Sequence, residues 1–178
     1  MSKTSLPLSQ VYRLIEPGPV VLVTTTRNQQ HDAMAMAWHT MMEFEPPIIG
    51  CVISDRNYTF GRLKATKECV IGIPTVELAS KVVGCGNTSG RSIDKFQTFG
   101  LTPISASKIA PPLIAECYAN LECKVIDTTL VHKYNFFILE VIKAWIDRSK
   151  KHPRTIHHLG NGNFMVAGKM IRLPSRMK

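Results

Sequence analysis

Pro19-Val20-Val21-Leu22-Val23-Thr24-Thr25-Thr26 sets the architecture of this chain. The run is β-branched and apolar without interruption and follows Pro17-Gly18, so it predicts a buried strand over residues 20–26. Asn28-Gln29-Gln30-His31-Asp32 is a polar turn, and Ala33 to Met42 predicts a returning strand, hence a hairpin. Met34, Met36, Met41 and Met42 dominate that second run, and methionine is no strand signal, so a helix is the alternative. Position favours the strand: the run lies between a turn and Glu45-Pro46-Pro47, beyond which Ile48 to Ser54 is a further strand.

Downstream, Asp55-Arg56-Asn57 leads into a predicted helix over Tyr58–Thr66, and a strand follows at Cys69–Ile73. Thr75 is placed to cap a helix over Val76–Val83 that Gly84 would end. Ser92 is placed to cap Ile93–Phe99, with Asp94 near the positive helix start and Gly100 as the stop. Leu113–Asp127 reads as strand through the alternation of Leu121, Cys123 and Val125 with Glu122, Lys124 and Ile126. Asn135–Ile146 is apolar on both faces, as a central strand is, and residues 163–168 make a last short strand. Six or seven strands with three short helices and hairpin-like connections predict a closed barrel with helical inserts.

The 178 residues suit one domain that can bury a core without metal or disulfide staples. Hydrophobic residues at 44% and charged residues at 20% exclude a disordered chain or a coiled coil. No apolar run is long enough for a membrane span, and the start at Met1 leads into no secretory signal. Cys51, Cys69, Cys85, Cys117 and Cys123 form no Cys-x-x-Cys pair, so the expectation is buried thiols in a cytoplasmic protein. Cys85, between Gly84 and Gly86, is the one that reads as lying in a flexible loop. The net charge of +9 is lopsided: residues 1–142 carry 13 basic against 12 acidic residues, and residues 143–178 carry 9 against Asp147 alone. The tail (Lys150, Lys151, Arg154, Lys169, Arg172, Arg176, Lys178) has little aromatic interleaving, which argues against a nucleic-acid binder and for a solvated segment or a rim that attracts an anion.

Metal and hydrolase chemistry find no support. His157 and His158 are adjacent, no ligand-spaced partner accompanies them, and there is no Gly-x-Ser-x-Gly. Dinucleotide and P-loop fingerprints are absent as well. Two segments stand out. Ser54-Asp55-Arg56-Asn57-Tyr58-Thr59 joins a strand to a helix, and its helix-start N–H groups, hydroxyls and guanidinium suit a phosphate; a capped helix with a surface arginine is the plainer alternative. Trp38-His39-Thr40 could stack on an aromatic ligand, or could be core with a satisfied histidine. The Gly-rich loop from Gly84 to Arg91 exposes backbone that a flat ligand can approach, or is a plain connection.

Taken in order and spacing, these segments resemble the flavin reductase-like family of FMN-binding split barrels, in the branch that includes flavoredoxin. The resemblance runs through Pro19 to Thr25, Trp38-His39-Thr40-Met41-Met42-Glu43-Phe44-Glu45-Pro46-Pro47, Ser54 to Phe60, Gly86 to Phe96, Gly100-Leu101-Thr102, Tyr134, residues 136–147 and His157 to Gly162. It implies a mainly β fold, a six-stranded antiparallel Greek-key split barrel with a few short helices, forming a single domain over residues 1–178 that dimerises. It also implies FMN near the dimer interface. Ser54, Arg56, Asn57 and Thr59 match the phosphate turn, and Met36, Ala37, Trp38, His39 and Thr40 the ring-binding strand. Asn87, Ser89, Gly90 and Arg91 lie in a loop expected near the flavin, whereas Asp94-Lys95-Phe96 is expected to serve packing. Ala35 and Ala37 stand where many relatives carry hydroxyls, so ring binding would rest on backbone amides and on Trp38, His39 and Thr40. Arg56, Arg91, Lys95 and the basic tail are candidates to stabilise a reduced, anionic flavin. The implied activity is oxidoreductase chemistry, with NADH or NADPH reducing FMN and electrons passing to free flavin or to a protein or metal acceptor. An electron carrier reduced by a protein partner, and a non-redox binding module, are the alternatives.

Overall fold

Strand β1 (Val21–Arg27) opens between two hydrophobic cores, which is why Val21, Leu22 and Val23 are apolar on both faces. Val21 and Val23 face a cluster with Met34, Met36, Cys51, Leu63, Cys69, Cys123, Phe137 and Leu139, whereas Val20 and Leu22 face a second cluster with Leu78, Val82, Cys85, Phe96 and Ile156. The computed structural model describes residues 18–174. Arg176 and Lys178, and the start read for a leader, lie outside them.

Asn28 and Gln29 both adopt positive φ (50° and 62°), a two-residue turn whose twist suits a hairpin. It returns the chain into β2 (Gln30–Met36), paired with β1 from Arg27↔Gln30 to Val21↔Met36. The expected second strand is broken at Ala37-Trp38 and resumes as β3 (His39–Glu43). β4 (Ile48–Val52), β5 (Glu68–Ile73), β8 (Ala119–Asp127) and β9 (Phe136–Ile146) complete an antiparallel sheet of order β2-β1-β5-β8-β9-β4-β3. The two outer strands of that order are consecutive in the chain. One bent strand therefore pairs with β1 through its first half and with β4 through its second, closing the sheet on itself. Counted once, it makes six strands, as expected; counted as two, seven.

Helix α1 (Tyr58–Thr66) lies where predicted and sends Leu63 into the barrel interior, where Phe60 meets Phe137 edge-on at 5.4 Å. Gly84 does not end the next helix. A 3-10 turn at Val76–Leu78 leads into α2 (Ala79–Asn87), and Gly84 sits within it because the Phe99 ring occupies the space a Cβ would fill. The following helix, α3 (Lys95–Phe99), is capped by Asp94, whose side chain accepts from the Gln97 N–H at 3.1 Å, rather than by Ser92. Gly100 stops it at φ 57°, as predicted.

The run 113–127 is not one strand. β6 (Pro103–Ile104) pairs with β7 (Leu113–Ile114), and Asn120 in β8 clamps Ile114 by accepting from its N–H and donating to its carbonyl, at 3.0 and 3.1 Å. Two further elements had no sequence signal, α4 (Val131–Tyr134) and β10 (Ile156–His158); the latter pairs with β11 (Phe164–Val166). Among the described residues no helix is long and apolar enough to cross a membrane.

Candidate functional site

β2, α1 and the C-terminal end of α2 converge on two adjoining cavities. The first, about 150 Å³, is lined by Asp32, Met34, Ala35, Arg56, Asn57, Tyr58, Thr59, Cys85, Gly86, Thr88, Ser89 and Lys95. The second, about 350 Å³, is lined by Val20, Ala35, Met36, Ala37, Val82, Val83, Gly86, Asn87, His158, Gly162 and Phe164. They share Ala35 and Gly86, so one groove runs from a polar end to an apolar one. Small residues at both shared positions keep it open: a Cβ on Gly86 would come within 3.5 Å of the Ala35 Cβ.

The polar end is built on strand-to-helix geometry. The N–H groups of Tyr58 and Thr59 lie in the first turn of α1, where a helix has no internal acceptors. The Ser54 hydroxyl accepts from the Arg56 N–H at 3.3 Å and the Ser54 carbonyl from the Asn57 N–H at 2.9 Å, which fixes the turn. The Arg56 side chain is exposed and, among the described residues, makes no side-chain hydrogen bond or ion pair. Thr59 is buried instead, and its hydroxyl donates to Asp32 Oδ2 at 3.2 Å, so that proton is already used.

Beneath the polar end lies a buried ion pair. Lys95 and Asp32 are 4% and 1% exposed, with Nζ 3.6 Å from Oδ1. The Lys95 ammonium also donates to the carbonyls of Ala33 (2.7 Å) and Cys85 (2.9 Å), which ties α3 and α2 to β2. Among the described residues Asp32 Oδ1 has no hydrogen-bond partner. Gly90 closes over it, and a Cβ there would overlap the carboxylate. Cys85, expected in a loop, is a buried helical residue; burial pushes its thiol up to about 11, with the Lys95 charge opposing.

The sequence-predicted residues divide by position. Arg56, Asn57, Thr59 and Ser89 line the polar end, and Met36, Ala37 and Asn87 the apolar end. Gly90 and Arg91 line a third cavity beyond Tyr58. Ser54, Trp38, His39 and Thr40 line none of the three. Trp38 stands 53% exposed at the strand break, the Thr40 hydroxyl donates to the Met41 carbonyl, and His39 Nε2 lies 2.8 Å from the Pro19 carbonyl. Lys95, expected to serve packing or to stabilise a reduced flavin, sits under the polar end; Ala35, read only as lacking a hydroxyl, and Thr88, inside the Gly84–Arg91 loop, line the groove, and Asp32 and Phe164 join it without having been singled out. Asp32 carried a signal in retrospect: an acid on the inward-facing period of an otherwise apolar strand needs a buried partner.

Residues 12–163 match the flavin reductase like domain family. The chain is also 30% identical over 180 residues to the protein YddH of Escherichia coli (strain K12), covering 93% of this chain and 95% of YddH. The chain belongs to the flavin reductase-like family. Among solved structures, an FMN-binding domain of a flavin reductases-like enzyme from Shewanella baltica OS155 superposes with TM-score 0.83 at 27% identity, covering 96% of this chain and 97% of that one. Flavoredoxin of Desulfovibrio vulgaris (Miyazaki F) shares the fold at TM-score 0.85 and 23% identity, over 97% of each chain. Family membership accounts for the closed six-strand ring.

Proposed function

We propose that the groove binds FMN and that the chain is an NADH- or NADPH-dependent flavin oxidoreductase. The observation that carries this reading is the polarity of two joined cavities. One end offers helix-start N–H groups, the Arg56 guanidinium and the Ser89 hydroxyl; the other is floored by Ala35, Met36 and Ala37. That donor set fits a phosphate at one end and a flat heteroaromatic ring at the other. Arg56, Asn57 and the start of α1 would hold the phosphate. The backbone of Met36 and Ala37, with Asn87, His158 and Phe164, would flank the ring. When bound, FMN would supply the redox chemistry, with NADH or NADPH as the reductant. The protein's part is to orient the ring and exclude water, and no side chain acts as a nucleophile.

The likeness to a flavoredoxin favours a second reading, a carrier reduced by a protein partner. One experiment tests both. Protein reconstituted with FMN is expected to retain about one flavin per chain through gel filtration, and NADH or NADPH is expected to bleach it under anaerobic conditions. Flavin retained but unbleached would favour the carrier; no retained flavin would refute FMN binding. We also propose that the chain is a homodimer. Trp38, Met41, Met42 and Phe44 form an exposed apolar edge along β3, which a second copy would cover.

A further inference from the structure

Beyond Tyr58 lies a third cavity, about 510 Å³, lined by Gln29, Gln30, His31, Tyr58, Arg62, Gly90, Arg91, Ser92, Ile93, Asp94, Phe96 and Pro103. Arg62 is only 3% exposed. Its Nε donates to the Thr25 hydroxyl at 3.1 Å, one terminal nitrogen to the carbonyls of Thr25 and Gln30, and the other to the Tyr58 hydroxyl at 3.2 Å. Those four bonds engage four of the five guanidinium N–H groups, and every acceptor is neutral. Among the described residues no carboxylate lies within 4.0 Å of Arg62. A buried cation without a counter-charge is costly, and proteins ordinarily pair it.

Arg91 adds a second positive charge. Its guanidinium carbon lies 5.5 Å from the Tyr58 ring centroid, and that of Arg62 lies 5.1 Å from the same centroid. Asp94 is the single acid in the lining, and its carboxylate is engaged in capping α3. His31 holds its Nδ1 2.8 Å from the Thr26 hydroxyl, and burial together with the Arg62 charge keeps it below its ordinary range, so it stays neutral near pH 7.

We infer that this cavity, divided from the polar end of the flavin groove by Tyr58, which lines both, is an anion site of its own that takes the phosphate group of a small organic molecule. The phosphate would sit between Arg62 and Arg91, using the free guanidinium N–H and supplying the missing counter-charge. The space is far larger than a phosphate, and Phe96, Ile93 and Pro103 provide an apolar wall for an organic body.

The test is titration of the full chain with inorganic phosphate and with ribose 5-phosphate, with and without saturating FMN. Arginine Nε–H resonances in NMR report occupancy. Saturable binding that shifts Arg62 and Arg91 and is unchanged by FMN is expected, with ribose 5-phosphate the tighter ligand. Arg91→Ala is expected to weaken it about tenfold, and Arg91→Lys less. Arg91 is exposed, so this variant spares the bonds by which Arg62 ties α1 to β1 and β2. Absence of saturation, indifference to Arg91→Ala, or equal affinity for both probes would overturn the assignment, as would competition by FMN. Because the flavin-free arm is read independently, a failure of the FMN reading would not be mistaken for a failure here.

Discussion

Replacing Lys95 by Met tests whether the buried ion pair holds the groove together. The substitution keeps most of the volume but removes the ammonium, its bonds to the Ala33 and Cys85 carbonyls and its partnership with Asp32. Removing one partner of a buried pair typically costs about 3–5 kcal/mol, because a charge is left behind without compensation. The 3.6 Å separation and the surviving Thr59 bond to Asp32 put this case at the lower end, about 3 kcal/mol. Asp32→Asn in the same background removes the stranded charge. The double variant is therefore expected to be more stable than the sum of the two single losses by at least about 1 kcal/mol. Urea unfolding of the four proteins, followed by tryptophan fluorescence with slopes held comparable, measures this directly. A Lys95→Met loss under about 1 kcal/mol, or additivity within about 0.5 kcal/mol, would refute the pairing as a stabilising element.

Arg56→Ala is expected to weaken FMN binding about 10- to 150-fold and to leave riboflavin binding nearly unchanged, measured by flavin fluorescence quenching. Two of the helical glycines, Gly61 and Gly84, should respond with opposite sign. Gly61→Ala, with nothing within 4 Å of the new methyl, is expected to stabilise by about 0.5–1 kcal/mol, and Gly84→Ala, which meets the Phe99 ring, to destabilise by about 1–3 kcal/mol in the same urea assay. Burial works against the Glu122 carboxylate, but bonds from the Ser107 and Lys108 N–H groups, the Ser107 hydroxyl and the Trp145 indole outweigh it and hold its pKa below the ordinary value. Its contribution is thus complete above the unfolded-state pKa of about 4.3 and is lost as pH falls through the lower folded value; Glu122→Gln should flatten the acid limb of the urea midpoint against pH. Phe44→Asp, at a side chain 78% exposed on the β3 edge, is expected to shift the protein toward monomer in sedimentation equilibrium, and a wild-type chain monomeric at every concentration would refute the dimer.

The fold was legible where hydrophobic periodicity speaks directly. The Val20–Thr25 run is buried on both sides, so its sequence declares it, whereas the Asn135–Ile146 run is a central strand of which only Phe137 and Leu139 are buried and the stretch from Lys143 to Ile146 is exposed. Legibility failed where a tertiary contact overrides a local rule. Gly84 reads as a stop until the Phe99 ring is seen against it, and Leu113–Asp127 reads as continuous until Asn120 is seen folding Ile114 back. The polar end of the groove was legible because a strand-to-helix turn with Ser54, Arg56 and Asn57 is a local chemical pattern. Lys95 and Asp32 were not, because they stand 63 residues apart and acquire meaning only when α3 packs against β2.

The closed ring has a consequence for how the molecule comes apart. An open sheet frays from its outer strands inward, but here the bent β2–β3 strand holds both outer positions, so opening must begin by rupturing one of its seams. The seams are unequal. β1 and β2 match over seven consecutive residues, and β1 and β5 match at only three positions but both are mostly buried, whereas β3 and β4 match at four positions with an irregularity between Met41 and Glu43, and β3 is mostly exposed. Amide exchange should therefore start at β3 and β4 and reach the other strands only with global unfolding. A partner seated on that edge would act as a latch on the whole barrel.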